Sequence, residues 1–465
     1  MALLSEKIDF DMLPKTFRDA VSVTLSLGLE YLWIDSLCII QDSQEDWAQE
    51  AARMADIYSQ TYVNLAATDA TDSTGGLFLD RNGQLGTLCL LRSTGVFGGL
   101  DPGTVLIVSG DMYQHQILGA PLNGRGWVLQ ERILAPRTVH FTLSQVWWTS
   151  NDSTETYTEW FPDISIDSLL FALRLYREQY SLPRVRWRDT PDLGEDEYKQ
   201  WSDCWRGYVQ EYSGLGLTKH SDKLAAISGI SSMFSNVYGL AGSDYLAGHW
   251  RRDLPQSLRW WRQARCEVRG CRPDDHGQYT APSWSWASMH AELFFAVVGS
   301  HRMLMQILDV EVNTDGGPFG PVKDGHLAVR GPVWRVRIAA WDDHNQGNFQ
   351  ALCFSLMDVD GNERTFPVEA VWDGCASREQ VGSEFIIAPI SYIAKQQRDE
   401  GPQHASCLLL QPTGRKPGEF ERTGFAFVES VLLDEWMESC HGKEEDTICE
   451  AYDGESGGWY TYRLV

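Results

Sequence analysis

The apolar positions of the first eighty residues follow two different patterns. Residues 13–27 and 45–60 place apolar side chains at helical spacing, which predicts two amphipathic helices. Residues 31–40 and 62–67 form nearly continuous apolar runs of strand length, which are typical of strands buried on both faces. A strand, a helix and a second strand in this order predict a right-handed crossover in a parallel sheet.

The rest of the chain changes from mixed to helical and then to all-β patterning. The predicted elements are a strand at 104–109, a helix at 128–134, strands at 137–142 and 145–150, and helices near 165–180, 195–213 and 221–239. Beyond residue 282, apolar stretches separated by Gly, Pro and Asp predict a β-sandwich or a barrel-like module. We expect three domains, an α/β domain at 1–160, a helical region at 161–281 and a β-rich domain at 282–465.

Charge and composition exclude several classes of partner. Lys and Arg total 39 against 64 Asp and Glu, so the net charge of −25 repels nucleic acids and anionic membranes. No run of eighteen apolar residues predicts a transmembrane helix, and the first residues lack the pattern of a signal peptide. Ten scattered cysteines favour reduced thiols. We therefore expect a soluble, intracellular and cytoplasmic protein, with neither nucleic acid nor membrane as partner.

Aromatic residues are unusually abundant, with 19 Trp, 17 Tyr and 18 Phe. Such rings bury a large apolar area and keep a polar edge available. One interpretation is a densely packed aromatic core. The other is one or more aromatic-lined pockets for a bulky apolar ligand.

Several segments together resemble one protein family. They are LPKTFRDAV (13–21), YLWIDSLCIIQDSQEDWAQEAARMADIY (31–58), AATDATDSTGGLF (66–78), RGWVLQERILAPRTVHF (125–141), SDKLAAISGI (221–230), YLAGHWRRDLPQSLRWW (245–261) and APSWSWAS (281–288). Their order over residues 8–290 resembles that of the fungal heterokaryon incompatibility (HET) domain family. The β-rich C-terminal part carries no motif of this kind.

The resemblance implies a fold related to the Toll/interleukin-receptor (TIR) domain and a role in fungal self/non-self recognition and cell death. Some TIR relatives cleave NAD with a catalytic glutamate, and the resemblance makes a like activity conceivable here. The sequence departs from the family in two places. It begins at the Leu-Pro helix, so the family's first strand is missing, and the family's Trp-x-Cys is Trp148-Thr149-Ser150. We therefore expect a TIR-related, HET-type parallel sheet that lacks its first strand.

Acidic residues near the second helix are the first candidates for chemistry. Asp35 ends a predicted strand, where its carboxylate could contact a ligand or cap the next helix. Glu45, Asp46 and Glu50 lie at the start of the helix, where the helix dipole favours acids in any case. If the chain cleaves NAD, Glu45 and Glu50 are candidate catalytic residues.

A second polar group surrounds Trp127 in the segment RGWVLQER. Arg125, Glu131 and Arg132 lie close together in sequence, which is typical of a structural ion pair. The alternative is a catalytic pocket in which Arg125 or Arg132 binds a carboxylate through two hydrogen bonds.

Aromatic and histidine side chains supply the candidate substrate-binding wall. The candidates are Trp33, Trp127, Trp148, Trp284, Trp286 and His249. Trp284 and Trp286 alternate in a strand-like segment and would share one face. Core packing is the alternative for all of them, as it is for His140.

The sequence offers little support for a metal or a cofactor. Cys266, Cys271 and His276 provide three possible ligands, but their spacing is wider than in structural zinc sites and a fourth ligand is missing. No G-x-S-x-G, Walker or G-x-G-x-x-G motif occurs. We expect neither a metal nor a cofactor.

Two functions from different classes remain open at this point. The first is a HET-family cell-death effector or interaction module, whose partner is another protein of that pathway. The alternative is a HET-derived, cofactor-independent cyclase or pericyclase of the Diels–Alder type in fungal secondary metabolism. Such an enzyme holds a small apolar molecule in a reactive conformation inside an aromatic-lined pocket. A family member without activity is the third possibility.

Overall fold

The computed structural model describes most of the chain in two compact units. The described residues are 8–80, 89–93, 103–107, 112–150, 156–158, 194–263, 279–296, 301–341, 350–357, 363–374, 380–393, 404–429, 449, 451–453 and 459–465. Unit 1 comprises Met1–Pro183, Leu215–Leu217 and Ala226–Met233. Unit 2 comprises Arg184–Gly214, Thr218–Ala225 and Phe234–Val465. The predicted helix near 165–180 lies outside the described residues.

Four helices in the first part of the chain belong to unit 1. They are α1 (Lys15–Ser26), α2 (Asp35–Cys38), α3 (Gln44–Ser59) and α4 (Gly126–Leu134). The hydroxyl of Ser43 accepts a hydrogen bond from the backbone N–H of Asp46 (3.2 Å) and so caps α3. The predicted helices at 13–27, 45–60 and 128–134 are confirmed to within a few residues.

The described residues of unit 1 contain a sheet of four strands of mixed direction. They are β1 (Asn64–Ala66), β4 (Arg137–Phe141), β5 (Val146–Ser150) and β6 (Thr156–Thr158), which follow one another across the sheet in that order. β1 runs parallel to β4, whereas the other two pairs are antiparallel. A separate hairpin pairs β2 (Cys89–Ser93) with β3 (Gly103–Ile107). The α/β character is confirmed, but a purely parallel sheet is wrong for the described strands.

The prediction of a buried strand over residues 31–40 is also wrong. Residues 31–34 pair with no described strand, and the chain then turns into the short helix α2. Leu37 and Cys38 are exposed although they are apolar, so the run does not mark burial on both faces. Periodicity cannot distinguish a short apolar strand from a helical turn, and the strand prediction over residues 31–40 failed for this reason.

Unit 2 begins with helices and short hairpins. Its helix α5 (Glu195–Ser213) has the predicted bounds, and α6 (Ala225–Tyr238) contributes residues 226–233 to unit 1 and its end to unit 2. α6 ends at Gly239, whose φ of 64° is readily adopted by glycine. The short antiparallel pairs are β7 (Tyr245–Leu246) with β8 (His249–Trp250), and β9 (Trp260–Arg262) with β10 (Leu293–Phe295).

The remaining strands of unit 2 form one sheet of eleven strands. They are β11 (His301–Met303), β12 (Gln306–Thr314), β13 (Val322–Pro332), β14 (Trp334–Trp341), β15 (Gln350–Met357), β16 (Glu363–Trp372), β17 (Glu384–Ile393), β18 (His404–Pro412), β19 (Glu419–Glu429), β20 (Ala451–Asp453) and β21 (Trp459–Leu464). Six of them close into a ring in the order β14, β15, β16, β19, β18 and β17, and β17 pairs again with β14. This closed ring confirms the barrel-like alternative for the C-terminal part.

The interior of the ring is a single apolar core. Its side chains come from all six strands because alternate residues of each strand point inward. They include Val336, Ile338, Leu352, Phe354, Phe366, Val368, Phe385, Ile387, Leu409 and Val428. The sequence predicts most of these strands from apolar stretches that Gly, Pro and Asp separate.

The segment around Trp284 and Trp286 is not a strand. Trp284 lies in a turn, and Trp286–Ser288 forms a short 3-10 helix. The hydroxyl of Ser285 accepts a hydrogen bond from the backbone N–H of Ala287 (3.0 Å) and caps this helix. Local side-chain bonding of serine therefore outweighs the alternating pattern that indicates a strand.

Candidate acid–base site

The candidate site lies in unit 1, where α3 and α4 pack together. The rings of Trp47 and Trp127 meet edge to face with their centroids 5.9 Å apart. Gln130 lies one turn after Trp127 and Met54 two turns after Trp47, and Gln130 Nε2 contacts the Met54 sulfur at 3.9 Å. This packing brings Tyr58, in the last turn of α3, to Glu131 in α4.

Glu131 is the most perturbed acid of the site. Burial raises the pKa of its carboxyl group to about 7, and the charge of Asp35 adds to this effect. A hydrogen bond from the Tyr58 hydroxyl and the positive charge of Arg125 act in the opposite direction. The carboxyl group is therefore close to half protonated at neutral pH.

Tyr58 serves this site as a hydrogen-bond donor. Burial raises the pKa of its phenol, and the charges of Glu131 and Asp35 raise it further. The phenol therefore stays protonated and donates a hydrogen bond to the carboxyl group of Glu131. The ring of Trp33 meets the ring of Tyr58 edge to face with centroids 5.7 Å apart, which holds the phenol in place.

Asp35 and Arg125 complete this group, which we call the acid site and define as Asp35, Tyr58, Arg125 and Glu131. Asp35 begins α2 and accepts a hydrogen bond from the backbone N–H of Ser36 (2.7 Å). Asp35 is half-buried, and Arg125, just before α4, is exposed. Both act on Glu131 through their charges. Three of these four residues, Asp35, Arg125 and Glu131, are candidates from the sequence alone.

The arrangement can carry out acid–base chemistry. A carboxyl group that is partly protonated at neutral pH, as that of Glu131 is, can either donate or accept a proton. An exposed guanidinium such as that of Arg125 can bind a carboxylate or a phosphate. The residues present thus suit a polar, anionic substrate better than an apolar one.

The acids at the start of α3 lie outside the acid site. Glu50 forms an ion pair with Arg53 at 2.7 Å, and Glu45 is exposed. Asp46 accepts the backbone N–H of Ile40 (2.7 Å) and so holds the turn before the helix. None of the three is among the groups that shift the pKa of Glu131.

Arg132 separates from its sequence neighbours Arg125 and Glu131. It is buried, and its charge adds to the burial that lowers the pKa of His140 to about 3. The His140 ring lies 3.4 Å from the Thr68 hydroxyl and 3.1 Å from the Thr149 hydroxyl. His140 is therefore a neutral, hydrogen-bonded residue of the sheet, as its packing interpretation predicts.

The aromatic candidates do not gather around the acid site alone. Trp33 and Trp127 belong to its surroundings, and Trp148 lies half-buried in β5. Trp284 and Trp286 lie in unit 2 and are 0% and 1% exposed. The indole N–H of Trp286 donates to the carbonyl oxygen of Gly248 (2.7 Å), so this ring is part of the core of unit 2.

His249 is also buried in unit 2. Its Nδ1 lies 2.9 Å from the hydroxyl of Ser257. Burial lowers the pKa of the ring to about 3, and the charges of Arg422 and Arg206 contribute to the shift. His249 is consequently neutral at physiological pH.

Tyr58 is the functional residue that sequence reasoning missed. Its helical spacing marks it only as a core-facing position of α3. The one available signal is chemical, because a buried tyrosine hydroxyl requires a hydrogen-bond partner. The partner lies on another helix far along the chain, and no local pattern reveals it.

The described part of the chain was compared with the side-chain geometry of metal sites and with the length of membrane-spanning helices. No group of three or more His, Cys, Asp or Glu side chains there is arranged to hold a metal ion. Cys266, Cys271 and His276 lie outside the described residues. None of the described helices has a stretch both long and apolar enough to cross a membrane.

The fold and the site of unit 1 define a mixed α/β domain with an acid–base site on its helices. Residues 3–131 match the family model described as heterokaryon incompatibility protein (HET), and the match includes all four residues of the acid site. This part of the chain is a HET domain, as its motifs predict. Searches of curated proteins and of solved structures gave no match.

Proposed function

We propose that the chain is an effector of fungal self/non-self recognition that triggers cell death through chemistry at the acid site. The HET match supports the biological setting. The observation that carries the chemical part is the state of Glu131, whose carboxyl group is partly protonated at neutral pH beside a second carboxylate. The TIR relationship implied by the motifs is part of this proposal.

The reaction that suits two such carboxyl groups is the cleavage of a glycosidic bond. An ionised carboxylate stabilises the positive charge that develops on the sugar as the leaving group departs with the bonding electrons, and it can accept the proton of the water that attacks the sugar carbon. The bond between nicotinamide and ribose in NAD belongs to this class, and the substrate carries phosphates that Arg125 could bind. We therefore propose NAD as the substrate and Glu131, rather than Glu45 or Glu50, as its catalytic glutamate.

The test is expression of the full chain in a fungal host, with growth and cellular NAD followed together. We expect the natural sequence to arrest growth and deplete NAD, and Glu131→Gln to relieve both effects. Glu50→Gln is the matched control, since Glu50 pairs with Arg53 outside the acid site, and it should remain toxic. Normal growth and NAD with the natural sequence would contradict the proposal. Arrest by Glu131→Gln would exclude the acid site as its cause.

The cyclase alternative stays a prediction without a structural observation in its favour. It requires tryptophan side chains that line a cavity, whereas Trp284 and Trp286 are buried in the core of unit 2 and Trp127 packs on Trp47. Metabolite profiles of a deletion strain and its parent would separate the two functions. A lost or stereochemically scrambled product would favour the cyclase.

A further inference from the structure

Unit 2 contains a buried amine that the proposed function does not use. Lys223 lies just before α6, and its side chain is only 4% exposed. Its Nζ donates a hydrogen bond to the carbonyl oxygen of Met289 and lies 5.7 Å from the centroid of the Trp286 ring. Within the described part of the chain, no carboxylate forms an ion pair with this amine. Lys223 is thus an amine in a largely apolar environment.

Two histidines lie next to this amine. His290 directly follows Met289, whose carbonyl oxygen accepts the hydrogen bond from Lys223, and the charge of the amine acts on the His290 ring. Both ring nitrogens of His290 are buried without a hydrogen-bond partner among the described residues. The ring of His220, an exposed residue, contacts the His290 ring with centroids 3.6 Å apart. The cluster of Lys223, His290 and His220 therefore extends from the buried amine to a solvent-exposed residue.

The backbone fixes the amine within this cluster. The hydroxyl of Tyr212, in α5, donates a hydrogen bond to the carbonyl oxygen of Lys223 at 2.6 Å. The backbone N–H of Met289 donates a hydrogen bond to the carbonyl oxygen of Trp286 at 3.1 Å. Met289, whose carbonyl oxygen accepts the hydrogen bond from Lys223, is therefore also held in place. A fixed amine loses less conformational freedom when a ligand reacts with it.

Burial also controls the charge of the amine. It lowers the pKa of Lys223 to about 7, so about half of the molecules carry a neutral amine at pH 7. An ordinary lysine, with a pKa of about 10.4, is neutral in only about one molecule in 2,500 at that pH. Since only the neutral amine has an available lone pair, burial provides the reactive form.

We propose that Lys223 is the nucleophile of a second site, which binds a small aldehyde or ketone and forms an imine with it. The lone pair of Nζ attacks the carbonyl carbon while the π electrons of the C=O bond move onto the oxygen. A proton passes from the nitrogen to this oxygen, and His290 can relay it because one ring nitrogen accepts while the other donates. Loss of water from the carbinolamine leaves the C=N bond, so the step needs no oxidant or reductant.

Reductive labelling of the full chain tests this site. Propanal and sodium cyanoborohydride at pH 7 convert an imine into a stable secondary amine, which peptide mass spectrometry locates. Lys219 is the matched control because it is exposed on the same short segment. We expect Lys223 to be labelled at least about ten-fold faster than Lys219. Burial increases the neutral fraction of the amine but also restricts the access of propanal, so the labelling rate rises less than the neutral fraction does. Equal or slower labelling of Lys223 would overturn the proposal.

Two further measurements separate a reactive site from a merely accessible lysine. The labelling rate of Lys223 should rise with pH to a plateau above its pKa, with a midpoint near pH 7. His290→Gln should slow the labelling of Lys223 several-fold and leave Lys219 unchanged. A labelling rate of Lys223 whose pH dependence has no midpoint near neutral pH would contradict the proposal. Glu131→Gln should have no effect on labelling, which keeps this test independent of the acid site.

Discussion

The hydroxyl of Tyr58 donates a hydrogen bond to the carboxyl group of Glu131 and thereby joins the last turn of α3 to the middle of α4. The bond favours the ionised carboxylate, whereas burial and Asp35 favour the protonated form. The balance places the pKa of Glu131 near the pH of the cell. At that pH the carboxyl group of Glu131 can either donate or accept a proton.

Glu131 should make the stability of the HET domain depend on pH. Its pKa rises from 4.5 in the unfolded chain to about 7, so the folded state binds the proton more tightly. The stabilisation is fully present below pH 4.5 and is lost as the pH rises through 7. It amounts to about 3 kcal/mol. Urea unfolding between pH 4 and 8 should therefore show a slope that Glu131→Gln reduces, and identical slopes in both proteins would contradict the assignment.

The neighbours of Glu131 should shift its pKa in opposite directions. Asp35→Asn removes a negative charge and should lower the pKa of Glu131, whereas Arg125→Gln removes a positive charge and should raise it. NMR titration of carbon-13-labelled glutamate carboxyl groups measures both shifts. Glu50→Gln is the control and should leave the titration unchanged. Shifts of the same sign in both variants would contradict the opposite effects of Asp35 and Arg125 on the pKa of Glu131.

Gly229→Ala should destabilise unit 1. A methyl group at this position of α6 would lie 2.7 Å from Gln130 Oε1, 3.0 Å from Ala55 Cβ and 3.1 Å from Leu134 Cδ1. Such overpacking costs about 1–3 kcal/mol, because α6 must move away from α3 and α4. Gly124→Ala is the control, since its methyl group would meet no atom within 4 Å. Thermal unfolding should show a lower Tm for Gly229→Ala alone, and equal Tm values would disprove this packing.

Arg422→Met should destabilise unit 2 by about 3–5 kcal/mol, because it leaves the buried carboxylate of Asp373 without its ion pair. The two side chains are 0% and 1% exposed and bond at 3.0 Å. Arg337 and Glu384 form a pair of similar length, 2.9 Å, but are 55% and 48% exposed. Arg337→Met should therefore leave the free energy of unfolding nearly unchanged, because solvent screens an exposed ion pair. Comparable losses in urea unfolding of the two variants would contradict the role of burial.

The sequence predicts the helices of the candidate site well and its geometry only in part. Residues 15–26, 44–59 and 126–134 are helical because apolar side chains recur at the spacing that buries one helix face. Asp35, Arg125 and Glu131 are recognised as candidates from residue type and motif. The run at 31–40 is assigned incorrectly, since apolar residues such as Leu37 remain exposed.

By itself the sequence determined the HET motifs, the helical periods and the apolar strand segments of unit 2, because each depends on neighbours close in the chain. The tertiary structure alone decided which acids meet. It paired Tyr58 with Glu131, left Glu50 with Arg53, and placed Arg132 beside His140 instead of Glu131. The pKa of Glu131 depends on burial and on charges from other elements, and these distances are set by packing rather than by local pattern.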